Sequence, residues 1–194
     1  MLAVLMGMIA VPGKGASAAS LAPHGAPTDG TGTYESCDPH VIECVLHLDT
    51  LAQAGFKVVI NYSQFTWDAT ITDQQAYAAH AAELGMKVIW PVNQFIYSSN
   101  DDTTLSSAFP IMTSSLKASG ACQLDPATNY GFVLCFAAVV KSLPGTWGYY
   151  IGDELPSSQE QMVRMVVDTV VNVDPTHPRL YVAGDSGGRV NSDT

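Results

Sequence analysis

Three times along this chain, a stretch with apolar residues at helical spacing ends in glycine and is followed at once by a short β-branched run. Val41, Val45, Leu48 and Ala52 share one helical face behind an Asp38-Pro39 start signal, Gly55 ends it, and residues 56–62 (FKVVINY) read as a buried strand. Thr72 with Gln75 predicts a capping box for the next helix, whose stripe is Tyr77, Ala81 and Leu84, and Gly85 closes it before the strand at 86–93 (MKVIWPVN). Residues 94–125 are long and polar, which predicts a loop insertion with one short helix over 104–116. A helix over 129–143 then stops at Pro144-Gly145 and leads into the strand 146–154 (TWGYYIGDE). In a fourth cycle Ser157 with Glu160 caps a helix carrying Val163, Val166, Val167 and Val170, and after Asp174-Pro175 comes the strand 179–185 (RLYVAGD).

Four strands alternating with four helices, joined by short helix-to-strand links, predict an α/β fold: a parallel sheet with helical cover. A doubly wound sheet would be expected to open a strand into a G-x-G-x-x-G or G-x-x-x-x-G-K-[ST] loop for a nucleotide, and no strand here does, so no cofactor is expected. The alternative is a (β/α)8 barrel, which needs about 250 residues. Four units make about half of one, and a partial (β/α)8 barrel is the favoured expectation because polar and aromatic residues gather at the C-terminal ends of all four strands.

The composition supports a folded core, with 47% hydrophobic and 13% charged residues. Eight Lys and Arg against 18 Asp and Glu give a net charge of −10, and the basic residues stand singly, so nucleic acid is not an expected partner. Met1 to Pro12 is almost wholly apolar and Ser17-Ala18-Ala19 has the small-x-small form of a cleavage site. Residues 1–19 are therefore expected to be a signal peptide, residues 20–36 an N-terminal loop, and residues 37–194 one β/α domain. After the leader no run approaches the ~20 apolar residues of a membrane span, so the expected mature chain has no stable span and is secreted or extracellular. Cys37, Cys44, Cys122 and Cys135 suit an oxidising compartment and allow three pairings; the local pairs are the simplest. If Cys44 lies on a helix, Cys37 must sit in the loop before it, because two helical turns separate Cα atoms by about 10 Å. The cysteine spacings lack short zinc hooks and the five histidines form no H-E-x-x-H pair, so no metal site is expected.

Strand parity carries the functional reading. In 146–154, Trp147, Tyr149 and Ile151 share one face and Gly148, Tyr150, Gly152 and Glu154 the other. With the bulky face toward the helices, Glu154 points inward at the top of the sheet and Asp153 away from it. Asn61, Asn93 and Asp185 end their own strands at the corresponding level, with Tyr62, Trp67, Trp90 and Tyr97 nearby. Carboxylates for acid/base work, amides for hydroxyls and rings for apolar sugar faces together describe a carbohydrate cleft. Adjacent carboxyls that are partly buried raise each other's pKa, as a general acid requires.

The runs LAQAGFKVVINY (51–62), AAELGMKVIWPVN (81–93) and GTWGYYIGDELPSS (145–158) resemble the glycoside-hydrolase-like TIM barrels. In the related clan of retaining glycosidases the acid/base Glu follows an Asn near the end of strand four, and the nucleophile Glu ends strand seven. The resemblance implies Glu154 as proton donor, with Asp153 where the family has Asn; the strand-end placement itself assigns substrate contacts to Asn61, Tyr62, Trp67, Trp90, Asn93, Tyr97 and Asp153. Asp185 is the candidate second carboxylate if its strand adjoins that of Glu154. The expected function is hydrolysis of O-glycosidic bonds in a neutral carbohydrate, and the alternative is a non-catalytic carbohydrate-binding or cell-surface module. Unpaired edges of a half barrel predict self-association.

Overall fold

A computed structural model describes residues 32–66, 68–99, 103–153 and 157–182. One sheet of five strands runs through them: β1 (Gly32–Glu35), β2 (Val58–Asn61), β3 (Lys87–Trp90), β4 (Thr146–Asp153) and β5 (Arg179–Val182). The strands lie in sequential order and every neighbouring pair is parallel. A doubly wound sheet must reverse its order at a switch point, whereas a barrel adds each strand beside the last, with every right-handed crossover on the same side. The observed order is that of a barrel segment.

β1 corrects the expectation of a loop up to Ser36. With only Thr33 β-branched, GTYE carries little strand signal; it forms because the edge of β2 offers a ladder, extended by the Tyr62 N–H donating to the Glu35 carbonyl at 2.8 Å.

Helices α1 (Ile42–Gln53), α2 (Ile71–Glu83), α3 (Asn93–Ser98), α4 (Leu105–Ala108), α5 (Pro110–Ser119), α6 (Asn129–Val140) and α7 (Glu160–Val173) fill the connections. Three starts differ from the sequence expectation. α1 begins at Ile42, since Asp38 and Pro39 form a preceding turn in which Asp38 accepts from His40 N–H and the Thr66 hydroxyl. The capping box of α2 is Thr70 with Asp73 in place of Thr72 with Gln75. The expected insertion is largely helical, because Phe95, Ile96, Leu105, Phe109, Met112 and Leu116 recur at spacings that let each turn bury an apolar side chain. Pro110 separates α4 from α5, having no N–H to continue the first helix and the right φ to start the second. A 3-10 turn (Ser157–Gln159) introduces α7, whose N-cap is Gln159 in place of the expected Ser157, with no side-chain cap hydrogen bond from Gln159.

The two faces of the sheet bury different material. Toward the helices, Val59, Val88, Trp90, Tyr149 and Ile151 join one continuous core whose centre is a cluster of phenylalanines. Phe95 meets the rings of Phe65, Phe109, Phe132 and Phe136 with centroids 4.7–5.8 Å apart. On the other face the buried hydrophobic cluster among the described residues is Val58, Ile89 and Tyr150, flanked by Ile60, Trp147 and Leu180. At the turn from α7 into β5, Asp174 accepts from Tyr149 Oη at 2.7 Å, Thr176 Oγ1 at 2.8 Å and His177 Nδ1 at 2.6 Å. Burial opposes ionisation of this carboxyl, but the hydrogen bonds outweigh it and hold its pKa at about 2.

β4 departs twice from regular pairing. A register shift lies between its partners Val88 and Ile89, and Trp147 packs with the inner cluster, against the expected parity, while Tyr149 and Ile151 keep the helix side. A second shift lies between Tyr150 and Gly152, whose φ of 144° favours glycine. No helix among the described residues is long and apolar enough to cross a membrane.

Candidate active site

The inner face carries a row of tyrosines at the C-terminal end of the sheet. Tyr34 on β1 lies in register with Ile60 on β2, and so on the face of Ile60 and Val58. Tyr62 follows β2, and Tyr150 lies on β4. Their rings meet edge to face, Tyr34 with Tyr62 at 5.7 Å and Tyr62 with Tyr150 at 6.0 Å. Tyr150 is buried, whereas Tyr62 is 41% and Tyr34 60% exposed, so the row ends in ring surface open to solvent. Gln94 fixes the start of this loop by donating its side-chain amide to the Tyr62 carbonyl. Tyr34 was missed in the sequence because its strand was, although Tyr150 appears there on its inward parity.

Apart from Asp153, the expected site residues separate into three groups. Tyr62, Tyr97 and Asn93 stand at the C-terminal end of the sheet. Tyr97 is exposed on α3, and Asn93 opens that helix instead of ending β3, buried to 6% exposure with an Oδ1 that has no hydrogen-bond partner among the described residues. Asn61 and Trp90 lie on the helix side, away from the expected cleft. Val58 and Ile60 occupy the inner face of β2, so parity sends Asn61 outward, where its amide accepts from the N–H groups of Cys37 and Ser63 and donates to the Cys37 carbonyl. Trp90 is fully buried against Phe136 and donates Nε1–H to Thr146 Oγ1 at 3.1 Å. Trp67, Glu154 and Asp185 lie outside the described residues.

Asp153 ends β4 in register with Val182. Leu180 and Val182 are two positions apart on β5, yet their partners Tyr150 and Asp153 are three apart on β4. The alternation that assigned Glu154 to the face of Tyr150 therefore does not run unbroken along this strand. β4 and β5 are adjacent, and β5 runs from Arg179 to Val182.

A second polar cluster lies behind β1. Glu35, one residue beyond Tyr34 and so on the opposite face, is buried, accepting from Tyr77 Oη and from His47 Nδ1 at 2.8 Å. Burial, and then the Glu35 charge, push the Tyr77 pKa well above its ordinary value. Both local cysteine pairs are disulfides, Cys37 with Cys44 and Cys122 with Cys135, and Cys37 lies in the loop before α1, as the helical placement of Cys44 requires.

No protein-family model and no curated protein matches the chain. Among solved structures, it is similar to a glycoside hydrolase at 12% identity and TM-score 0.48, over 78% of this chain and 36% of that one. It is also similar to a glycoside hydrolase family 5 protein from Bacteroides vulgatus (12% identity, TM-score 0.45, 77% of this chain and 33% of that one). A third likeness is to the Amycolatopsis orientalis exo-chitosanase CsxA (15% identity, TM-score 0.41, 79% and 16%). The chain thus spans about a third of the length of the first two, and the resemblance is a distant one at the level of the fold.

Proposed function

We propose that this chain supplies the β1–β5 part of an exported, glycoside-hydrolase-like barrel that acts on O-glycosidic bonds of a neutral carbohydrate. The observation that carries the reading is the row Tyr34, Tyr62 and Tyr150, which presents aromatic faces at the strand ends where a parallel α/β sheet binds ligands. Asn93 adds a buried acceptor without a partner among the described residues, suited to a ligand hydroxyl. Glu154 follows the fourth of the described strands, the position that the sequence resemblance assigns to the proton donor. Asp185 follows the adjacent strand, and neighbouring strands stand about 4.8 Å apart, close to the roughly 5–5.5 Å between carboxyls of a retaining pair. Two disulfides suit export, with residues 1–19 as the leader. β1, paired among the described strands with β2 alone, supports association between copies.

A second reading, a carbohydrate-binding module without catalysis, is favoured by one fact: the tyrosine row presents ring surface at the sheet end without needing any carboxylate. The test is turnover of a natural glycan and of an activated aryl glycoside by the wild type, Glu154→Gln and Asp153→Asn. Loss of a general acid costs about 10²–10⁴-fold on the natural glycan and much less on the activated substrate. That pattern at Glu154 supports the assignment, and the same pattern at Asp153 transfers the role there. Binding of neutral oligosaccharides with no turnover of either substrate favours the module, and no binding at all overturns both readings.

A further inference from the structure

The Cys37–Cys44 pair is surrounded unlike a purely structural crosslink. The buried Asn61 side chain donates one N–H to the Cys37 carbonyl at 2.8 Å, and its Nδ2 also lies 3.7 Å from Cys37 Sγ and 3.6 Å from Cys44 Sγ. Disulfide sulfur is a weak acceptor and gains little from such a donor, whereas thiolate sulfur, free or metal-bound, is stabilised by N–H groups aimed at it. On the same side, a carboxylate oxygen of Glu35 and the two sulfurs lie within 4.8 Å of one another. Glu35 is oriented there by Tyr77 Oη and His47 Nδ1. The Cα atoms of Cys37 and Cys44 are 5.4 Å apart, and two thiolates on a tetrahedral ion, each about 2.3 Å from it, need stand only about 3.8 Å apart. Side-chain rotation at one cysteine can supply that separation without moving the backbone far.

We propose that the dithiol form of this chain binds one divalent cation of the zinc class through Cys37, Cys44 and Glu35, with water in the fourth position. The disulfide and the metal site are then alternative states of the same sulfur pair. Reduction by a small dithiol delivers two electrons and two protons to the Cys37–Cys44 bond, and the reductant leaves as its own disulfide. The cation replaces the two thiol protons, which pass to solvent. Cys122 and Cys135 form an internal control: both sulfurs lie 3.5 Å from the Leu124 carbonyl oxygen, and no carboxylate or histidine completes a ligand group with them among the described residues.

The experiment is an anaerobic titration of the reduced chain with Co2+, followed by displacement with Zn2+, with circular dichroism recorded throughout. A thiolate-to-cobalt charge-transfer band saturating at one ion per chain is expected. It should survive Cys122→Ser/Cys135→Ser, vanish in Cys37→Ser/Cys44→Ser, and saturate at roughly tenfold or higher metal concentration in Glu35→Gln. No band, a band that survives loss of Cys37 and Cys44, an affinity unaffected by Glu35→Gln, or a dithiol form that loses its helical signal with and without metal would each overturn the proposal.

Discussion

The helix-covered face and the inner face of the sheet come from the same strands but solve different problems. On the first, Trp90, Tyr149, Val59 and Val88 are fully buried under a layer whose phenylalanines touch one another on every side. On the second, a small cluster of Val58, Ile89 and Tyr150 among the described residues gives way to Tyr62 and Tyr34, increasingly exposed toward β1. Close packing makes every methylene on the first face matter, and a half-open aromatic surface on the second leaves room for a ligand. Stability and recognition are therefore expected to separate by face, and substitutions can test that separation.

The largest effect is expected at Phe95. It is fully buried and contacts four other rings, so Phe95→Ala leaves a cavity that the neighbouring helices cannot fill, at a cost of about 3–5 kcal/mol in denaturant unfolding. A loss under about 1 kcal/mol, within the range of surface substitutions, would mean that the helix face is not the stabilising one.

Next comes Asp174, which ties Tyr149 on the helix face to the α7–β5 turn. Its folded pKa of about 2 lies below the value near 3.9 of an unfolded aspartate. A depressed pKa contributes stability that is present in full above about pH 4 and is lost as pH falls through about 2. Asp174→Asn is therefore expected to cost about 2 kcal/mol at neutral pH, with the difference from wild type closing as pH falls from about 4 to 2. A pH-independent difference would trace the loss to packing and not to the charge.

Sequence patterning reached the helix face more fully than the inner one, for physical reasons visible at single residues. Gly55 and Gly85 follow α1 and α2 at φ of 91° and 70°, and the helices and strands between them follow from local signals: apolar spacing, β-branched runs and glycine stops. β1 was not legible, because a four-residue edge strand is held by the ladder of its neighbour and not by its own propensity. With it went Tyr34, and so the exposed end of the aromatic row. Asn61 was read from its place at the end of a strand, and its parity with Val59 sends it to the helix side. The two shifts in β4 are invisible to a count of alternating residues, since each is set by how β4 fits β3 and β5. Tyr150 was legible because it keeps the inward alternation of its own segment, whereas Tyr62 was named only as a neighbour of Asn61, which has the opposite parity.

The smallest stability effect, and the sharpest test of the comparison, is expected at the tyrosine row. Tyr34 is 60% exposed and has one edge-to-face ring partner, so Tyr34→Ala should cost about 0.5 kcal/mol, the low end of such a pair. Tyr62 has a ring partner on each side, and edge-to-face pairs contribute about 0.5–1.5 kcal/mol, so Tyr62→Ala should cost somewhat more, yet well below Phe95→Ala. A double-mutant cycle with Tyr150→Leu isolates the Tyr62–Tyr150 contact from the loss of either ring alone. Binding should follow the opposite order: each exposed tyrosine removed is expected to weaken a neutral oligosaccharide about tenfold, or 1.4 kcal/mol, while Asp174→Asn at neutral pH leaves the affinity unchanged. Calorimetric titrations alongside the unfolding curves read both quantities on the same variants. If Tyr34→Ala and Tyr62→Ala leave sugar affinity intact, or if their unfolding midpoints shift as far as that of Phe95→Ala, the inner face is a second structural core and not a ligand platform.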